Sequence, residues 1–270
     1  MRLGWLSSGR DPAARALLTD IVTRARADGL PLTIGAVFCD RERGESEQSD
    51  AFLDLVATLG LRAVTLPSAP SWHAAAARGV AREAWRETYH DDVMRLLDPL
   101  RLDVLVLAGY MLVVSPAMCY RYAMLNLHPA LPEGPTGTWQ QVIWSLLASR
   151  ARETGAMIHL VTPELDRGPV LAVDRFPIVG GHFDALWNAF ADKLANRDLA
   201  AIAQEEGESE PLFTAIRQRG EEREIPLLYR TVAQFVLGKL HAAEGRVVGD
   251  SVTLPLDLTS EVNAELAARA

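Results

Sequence analysis

The chain has 270 residues, of which 49% are hydrophobic and 23% are charged, and its formal net charge at pH 7 is −8. This length and composition can bury a full core, as one large domain or as one domain with an appendage. The negative net charge argues against nucleic acid or an anionic membrane as the main partner, because both require a basic surface.

The first half of the sequence alternates apolar runs with amphipathic stretches. The predicted strands are Arg2–Ser7, Leu32–Phe38, Ala63–Leu66 and Val104–Ala108. The predicted helices are Pro12–Ala27, Ala51–Leu59 and Trp72–Leu97, the last with a break near Gly79, and the polar stretch 41–49 is a predicted loop. Strands separated by such helices imply βαβ units and a parallel sheet, in which the wholly apolar 104–108 is a central strand.

After His128 the pattern changes, beginning with a loop over Pro129–Gly137 that contains three prolines and two glycines. The remaining predictions are a helix Thr138–Ser149 capped by Thr138, hairpin-like strands Ala156–Val161 and Val170–Pro177, helices Ala185–Glu205 and Leu212–Ala243, and a tail Arg246–Ala270 with a short strand Ser251–Leu256. We therefore expect an α/β fold with a Rossmann-like, mixed, mainly parallel sheet and helices on both faces. We expect residues 1–243 to form one catalytic domain and 244–270 a C-terminal extension.

The apolar runs, the N-terminal segment and the two cysteines bear on location. No apolar run approaches the length of a membrane span, and Met1–Ser7 turns polar too early for a signal peptide. Cys39 and Cys119 form no CxxC pair, which predicts two buried thiols rather than a disulfide or a zinc site. We expect a cytoplasmic protein without a metal.

Polar residues that follow predicted strands mark a candidate site. Ligands of open α/β sheets bind beyond the carboxyl ends of the strands, where Ser7–Asp11, Gly109–Ser115 and Asn126–His128 converge. Asp166 follows in the hairpin turn. An Asn amide donates a hydrogen bond, a His donates or accepts a proton, and an Asp can set the state of the His. The trio Asn126, His128 and Asp166 suits acyl transfer to an amine without a covalent enzyme intermediate.

Each of these residues alone also has a structural explanation. A His after an apolar strand is commonly structural, and an Asp in a Leu-Asp-x-Gly turn commonly caps the backbone. The histidine inside a predicted strand, His159, either supports the site or is structural, and the remaining histidines are expected at the surface: His73, His90, His182 and His241. The linked set, rather than any single member, favours a catalytic function.

Three linked segments resemble one enzyme family: Val104–Met111 followed by Ser115-Pro116, then Leu125-Asn126-Leu127-His128-Pro129, then His159–Val170. They resemble the formyltransferases that use 10-formyltetrahydrofolate, most closely the branch that acts on glycinamide ribonucleotide in purine synthesis. The resemblance covers roughly Met1 to Leu240. It implies small-molecule partners, a folate formyl donor and an amine acceptor, with no metal, no nucleic acid and no membrane, and it leaves a homodimer open.

The resemblance also implies roles for individual residues. Asn126 and His128 would stabilise the oxyanion formed when an amine attacks the formyl carbon, and Asp166 would hold a water or the His proton. Loss of one oxyanion donor typically costs about a hundredfold or more in rate, and a neighbouring carboxylate stabilises a protonated imidazole. The implied folate-binding residues are Leu112, Val114, Val161, Pro163 and Leu165. The implied acceptor-binding residues are Gly9, Arg10, Met111, Pro129 and Glu221.

The acceptor side departs from the family pattern. Ser8-Gly9-Arg10-Asp11-Pro12 stands where the family has a glycine-rich loop that cradles a phosphate, and Leu112 stands where an Arg is common. Asp11 brings a carboxylate and Pro12 lacks an N–H, so we interpret Asp11 as a helix cap and leave Arg10 to replace the lost donors. Glu221 lies on a charged helix, where a Glu is usually just solvated.

The identity of the acceptor therefore stays open. Glycinamide ribonucleotide is slightly favoured, and a sugar amine or another amine metabolite is the main alternative. Water would be the acceptor in a formyltetrahydrofolate hydrolase, but those enzymes carry a module ahead of this domain, whereas Met1 here already stands at the first strand. A non-catalytic folate or metabolite binder would not need Asn126, His128 and Asp166 together.

Overall fold

A computed structural model describes residues 1–243, 245–250 and 252–269 of the chain. The strands are β1 Arg2–Ser7, β2 Thr33–Cys39, β3 Ala63–Thr65, β4 Val104–Leu107, β5 Met124–His128, β6 Glu153–Leu160, β7 Val170–Pro177, β8 Leu240–Ala243, β9 Arg246–Gly249 and β10 Leu256–Asp257. The helices are α1 Pro12–Ala27, α2 Glu47–Thr58, α3 Ser68–Ala76, α4 Arg82–Leu97, α5 Pro116–Arg121, α6 Trp139–Ser149, α7 His182–Leu194, α8 Leu199–Glu206, α9 Pro211–Val236 and α10 Thr259–Arg269. None of the helices in the described ranges combines the length and the apolar character that a membrane span requires.

The chain divides into two compact units. The first contains Met1–Leu127, His159–Pro169 and Thr231–Thr253, and the second contains His128–Ile158, Val170–Arg230 and Leu254–Ala270.

The first unit is built on five parallel strands in the order β5-β4-β1-β2-β3. The strand order reverses between β1 and β4, which is the position where open α/β sheets bind ligands. All four residues of β4 are buried, so the prediction of a central strand is confirmed. The loops that follow β1 and β4 therefore flank the switch point of this sheet.

Helices cover both faces of these strands. On one face, α4 and α5 pack against side chains of the sheet that include Leu6, Phe38 and Leu105. Trp5 and Val106, which alternate with these along the strands, are also fully buried, so the opposite face is covered as well. The predicted α/β fold is confirmed.

One core residue of the first unit contradicts the sequence interpretation. The sequence places His90 at the surface, whereas its side chain on α4 is 0% exposed. It packs edge-on against Tyr89 and Tyr110, and burial lowers its pKa to about 4. A mixed polar and charged helix such as α4 gives no clear apolar stripe, which is why the pattern concealed this position. His73, His182 and His241 are exposed as expected.

Strands β6 and β7 form the predicted hairpin. The N–H of Leu160 donates to the Pro169 carbonyl at 2.9 Å, and the N–H of Ile178 donates to the Arg152 carbonyl at 3.0 Å, which is an antiparallel pattern. In the second unit, β10 pairs with β7 in parallel. The core of this unit is formed mainly by α6, α7 and α9, with the buried side chains Ala130, Val142, Ile143, Leu146, Leu147, Phe176, Ile178, Phe183, Phe190, Ile202, Leu212, Phe213 and Ile216.

Two predicted helices require correction, and one predicted break is confirmed. The long helix 72–97 is broken around Gly79 into α3 and α4 as expected. The single helix predicted over 185–205 is wrong, because Asp198 accepts from the N–H of Ala201 at 2.7 Å and starts a second helix, α8. The helix predicted over 212–243 is also wrong beyond Val236. Gly238, of a residue type that commonly ends helices, precedes β8, which pairs antiparallel with β9.

The tail differs from the prediction as well. The strand predicted over Ser251–Leu256 is wrong for residues 252–255, while Ser251 lies outside the described residues. The chain instead forms β10 and then α10, a polar helix in which Val262 is the buried apolar side chain. One buried position gives too weak a periodicity to reveal a helix. The division at residue 243 into a catalytic domain and an extension stays a prediction.

A buried ion pair joins three elements of the second unit. Arg223 of α9 donates to both carboxylate oxygens of Asp174 on β7, at 2.7 and 2.6 Å, and to the side-chain oxygen of Asn263 on α10 at 2.8 Å. The side chains of the pair are 1% and 0% exposed. Burial raises the pKa of Asp174, and the bonds from Arg223 oppose that shift.

We expect Asp174→Asn to lower the free energy of unfolding by about 3–5 kcal/mol, because removal of one partner leaves a buried charge uncompensated. Urea denaturation of both proteins measures this difference. The matched control is Glu222→Gln, which breaks the exposed pair between Arg219 and Glu222 on α9 and should change stability by less than about 0.5 kcal/mol. Equal effects of the two substitutions would contradict the prediction.

Candidate active site

Strand β5 carries two of the predicted catalytic residues. Asn126 and His128 are two positions apart, so their side chains project from the same face of that strand. Asn126 is half-buried, and His128 is 3% exposed at the last position of the strand. The sequence therefore places both polar groups where the strand ends.

The first unit brings Asn126 and Asp166 to the same histidine. The amide nitrogen of Asn126 lies 3.0 Å from Nε2 of His159, and Oδ1 of Asp166 lies 3.7 Å from the same atom. His159 on β6 is 2% exposed. The sequence leaves His159 between a supporting and a structural role, and its contacts connect it to two of the three predicted catalytic residues. The signal available in the sequence is its position in an alternating strand ahead of the Asp166 turn.

The hydrogen bonds of His159 restrict its protonation. Nδ1 lies 3.0 Å from the Leu160 carbonyl, which can only accept, so Nδ1 carries a hydrogen. In the neutral ring Nε2 accepts from the Asn126 amide. In the protonated ring Nε2 becomes a donor that faces Asp166, and Asn126 must then present its amide oxygen. The state of His159 thus selects the orientation of the Asn126 amide.

Backbone geometry explains the residues of the Asp166 turn. Asp166 has φ +54°, a left-handed conformation that Asp and Asn tolerate better than other non-glycine residues. A Cβ at Gly168 would lie 1.7 Å from the Leu160 carbonyl oxygen. Gly168 is therefore required where this turn closes against β6.

In the second unit, His128 contacts the loop that follows it. Nε2 of His128 lies 3.3 Å from the Pro135 carbonyl, so Nε2 carries a hydrogen in this arrangement. The loop ends at Thr138, which caps α6 in a reciprocal capping box, as predicted. The next residue, Trp139, lies under the guanidinium of Arg217, 4.5 Å from the ring centroid. The loop that orients His128 is thus fixed at its far end.

The implied folate-binding residues lie on two loops of the first unit. Leu112 and Val161, one from each loop, are half-buried and pack against the same apolar cluster as α4 and α5. Val114 is 6% exposed and Pro163 is half-buried, whereas Leu165 is 59% exposed. The two loops therefore share an apolar base and present apolar side chains to solvent.

The implied acceptor residues of the first unit lie in two loops that are bonded to each other: Gly9 and Arg10 follow β1, and Met111 follows β4. The N–H of Ser8 donates to the Gly109 carbonyl at 2.9 Å, and the N–H of Gly9 donates to the Ser7 hydroxyl at 3.2 Å. Met111 is 49% exposed, and its N–H donates to the Ser8 hydroxyl at 3.1 Å. Arg10 is exposed.

Two further contacts in the loop after β1 have structural roles that do not depend on a ligand. Asp11 accepts from the N–H of Ala14 at 2.9 Å, which confirms its interpretation as the cap of α1. Gly9 has φ +57°, and a Cβ there would lie 2.9 Å from Cβ of Phe52, so close packing already requires a glycine.

The implied acceptor residues of the second unit surround Arg217. Pro129 lines a small cleft together with Arg217 and Glu224. The guanidinium bonds Glu221 at 2.8 Å and the buried Glu224 at 3.0 Å. Glu221, 43% exposed, is therefore held in an ion pair rather than simply solvated. The sequence does not point to Arg217 or Glu224, since single charged residues on a charged helix carry no distinctive pattern.

The fold and these polar groups define an α/β protein of the Rossmann-like kind with its polar residues at the strand ends. The model of one family, formyl transferase, matches residues 19–193, more than half of the chain. The chain belongs to the formyl transferase family.

Curated relatives carry a more specific name. The chain is 39% identical over 100 residues to phosphoribosylglycinamide formyltransferase of Escherichia coli (strain K12), a match that covers 36% of this chain and 45% of that protein. It is 30% identical over 183 residues to the protein of the same name from Mycobacterium tuberculosis (strain CDC 1551 / Oshkosh), covering 67% of this chain and 73% of the relative. The matched region thus spans less than half of the first relative.

Solved structures share the fold at low sequence identity. Glycinamide ribonucleotide transformylase 1 from Symbiobacterium toebii has a TM-score of 0.62 and 20% identity, covering 92% of this chain and 93% of that one. A formyltetrahydrofolate deformylase from Pseudomonas syringae pv. tomato str. DC3000 has a TM-score of 0.63 and 20% identity, covering 92% of this chain and 65% of its own. Both likenesses concern the fold.

We expect Asp166→Asn to change the free energy of unfolding by less than about 0.5 kcal/mol, because Asn tolerates the left-handed backbone. Formyl-transfer turnover should fall by at least about tenfold, because the charge that faces His159 is lost. Urea denaturation and initial rates measure the two effects. Glu164→Gln, which neutralises a carboxylate of the same loop, is the matched control. A large loss of stability with unchanged turnover per folded molecule would make Asp166 a structural turn residue.

Proposed function

We propose that the protein transfers a formyl group from 10-formyltetrahydrofolate to a primary amine, with glycinamide ribonucleotide as the favoured acceptor. The observation that carries the proposal is the contact of Asn126 and Asp166 with one buried imidazole, in a chain of the formyl transferase family. The names of the curated relatives support the acceptor.

The residues of the first unit fit a flat, largely apolar donor molecule. Leu112 and Val161 would form the base of the pterin slot, and the exposed apolar side chain of Leu165 would cover one of its faces. When bound, 10-formyltetrahydrofolate supplies the carbonyl carbon that the amine attacks.

The polar residues then have separate tasks. The amide of Asn126 donates a hydrogen bond to the negative charge that develops on the formyl oxygen, and His159 holds that amide in place. His128 delivers a proton to the departing nitrogen and takes up the proton that the attacking amine loses, so the transfer consumes no net proton; imidazole suits this exchange because it is the side chain that titrates nearest neutral pH. Asp166 stabilises positive charge on the imidazole of His159, which lies beside it.

Both cysteines are buried free thiols, which is consistent with our proposal of a cytoplasmic location.

We expect His128→Ala and Asn126→Ala each to lower kcat by about a hundredfold or more, because each removes a group that acts on the developing charge. Binding of tetrahydrofolate, measured by calorimetry, should stay within about threefold of wild type. His73→Ala and Asn196→Ala remove the same side chains at exposed positions and should leave kcat unchanged. Near-normal turnover in a folded His128 or Asn126 variant would refute the assignment.

The acceptor side limits how a phosphate could be recognised. In the loop after β1, the N–H groups of Ser8, Gly9 and Ala14 already have acceptors, and Pro12 has none to offer. Arg10 is the exposed cation of this loop, so a phosphorylated acceptor would depend on its guanidinium. An acceptor without a phosphate, such as a sugar amine, is the second candidate that these occupied donors favour.

We expect Arg10→Ala to raise KM for glycinamide ribonucleotide by at least about tenfold, because a charge-assisted hydrogen bond to phosphate is lost. KM for the same amine without its phosphate should stay unchanged. Initial rates with both acceptors measure this, and Arg15→Ala, on the helix that follows this loop and bonded to Gln48, is the matched control. Efficient formylation of the ribonucleotide that survives Arg10→Ala would refute the role of Arg10. No formylation of it, with turnover of another amine, would favour the second candidate.

A hydrolytic reaction is tested in the same assay. The likeness in fold to a formyltetrahydrofolate deformylase makes water an alternative acceptor. If formate is released without any amine at the same rate as with the amine, the protein is a hydrolase and the proposed transferase activity is wrong.

A further inference from the structure

Two consecutive residues of α4 reach two different loops at the carboxyl edge of the first unit's sheet. The hydroxyl of Tyr89 donates to the Leu66 carbonyl, just after β3, at 2.6 Å. Nε2 of His90 lies 3.2 Å from the hydroxyl of Tyr110, just after β4. Tyr110 begins the segment 110–115, which leads from β4 to α5 and contains Met111, Leu112 and Val114. We call this segment the β4–α5 loop.

The hydrogen-bond partners of His90 determine the direction of its bond to Tyr110. Nδ1 lies 2.9 Å from the Arg86 carbonyl, so Nδ1 carries a hydrogen. The ring is fully buried, which disfavours its charged form, and in the neutral ring Nε2 is an acceptor. The hydroxyl of Tyr110 therefore donates to His90. The bond to the Arg86 carbonyl and the charge of Asp91 oppose this lowering of the pKa of His90, while the charge of Arg86 adds to it.

We propose that His90 is a positioning residue: its hydrogen bond with Tyr110 holds the β4–α5 loop in the conformation that receives the pterin of the formyl donor. The inference rests on the proposed function. Its basis is the juxtaposition of a buried neutral imidazole with the residue that begins the loop carrying Leu112.

The contacts of the loop show why one directional bond matters. The N–H of Met111 is bonded to the Ser8 hydroxyl, and His90 holds the neighbouring Tyr110 from the side of α4. Between these anchors and the cap of α5 at Ser115, the chain alternates the half-buried Leu112, the exposed Val113 and the buried Val114. A rotation of Tyr110 would therefore shift the backbone that sets which of these side chains are buried and which are exposed.

Apolar packing alone would not fix that rotation. The ring of Tyr110 packs edge-on against Phe38 with centroids 6.1 Å apart, and a phenylalanine would fill the same space. Apolar contacts are non-directional, whereas a hydrogen bond weakens steeply away from its preferred angle. The Tyr110 hydroxyl thus adds a directional bond to a contact that is otherwise apolar.

The test is Tyr110→Phe, which removes the donor and keeps the ring. We expect the Kd for tetrahydrofolate, measured by calorimetry, and the KM for the formyl donor both to rise by about tenfold, corresponding to loss of one well-placed hydrogen bond. The value of kcat should stay within about twofold, because Asn126, His128 and Asp166 are untouched.

The matched control is Tyr89→Phe. It also removes a tyrosine hydroxyl, that of the residue next to His90, but the bond it breaks is the one to the Leu66 carbonyl after β3. It should leave folate binding unchanged. His90→Leu should reproduce the effect of Tyr110→Phe, His90→Gln should rescue binding because its amide oxygen can accept from Tyr110, and the double variant Tyr110→Phe, His90→Leu should be no worse than either single one.

The outcomes separate this inference from the proposed function. A wild-type protein that neither binds tetrahydrofolate nor uses the formyl donor overturns both. A wild-type protein that does both, with folate constants unchanged in Tyr110→Phe, overturns the positioning role alone. Equal losses in Tyr89→Phe and Tyr110→Phe would also overturn it, since they would reflect a general loosening of α4.

Discussion

The imidazole of His159 imposes the main constraint on the polar groups of the first unit. Because the Leu160 carbonyl occupies Nδ1, Nε2 has to serve both Asn126 and Asp166. In a neutral ring Nε2 accepts from the amide of Asn126, and in a charged ring Nε2 is a donor that faces the carboxylate of Asp166. The ring is almost fully buried and lies on a strand, so it has little freedom to escape this choice. The orientation of the amide follows from it, and the turn that carries Asp166 closes at Gly168 against the same Leu160 carbonyl that accepts from Nδ1.

The loops implied to bind the donor and the loop implied to bind the acceptor differ in how far they are packed into the core. The loops that would hold the pterin share one apolar cluster with α4 and α5, so their bases are part of the core. The loop after β1 bonds the N–H groups of Ser8, Gly9 and Ala14 within the protein and presents an exposed arginine to solvent. A site of this kind could keep its donor molecule constant while the acceptor changes, because our proposal assigns acceptor recognition to an exposed side chain, that of Arg10.

The sequence predicts the regular elements well where burial produces a clear period. β1, α1 and β7 have the predicted bounds, and the Asp11 cap follows directly from Asp-Pro at a helix start. The errors lie where burial is sparse or mixed. A helical pattern continues past Val236 into β8, and α10 has too few buried positions to be seen.

The candidate site shows the same division. Asn126, His128 and Asp166 can be named from linked motifs, and their assignment as catalytic residues stays a prediction. The pattern is weaker on their support: it leaves His159, between two of them, open between a supporting and a structural role, and it does not point to His90 behind Tyr110 or to Arg217 beside the end of the His128 loop. Each of these depends on contacts between residues far apart in the chain, which no local period records.

The bond between Arg223 and Asn263 has a consequence for how the tail evolves. A guanidinium buried in the second unit completes its hydrogen bonds with a side chain from the last helix, so α9 and α10 share one electrostatic unit with β7. Sequences that lose the carboxamide at position 263 should then change position 223 or 174 in the same lineage. Positions 174, 223 and 263 should therefore covary among relatives that possess this tail.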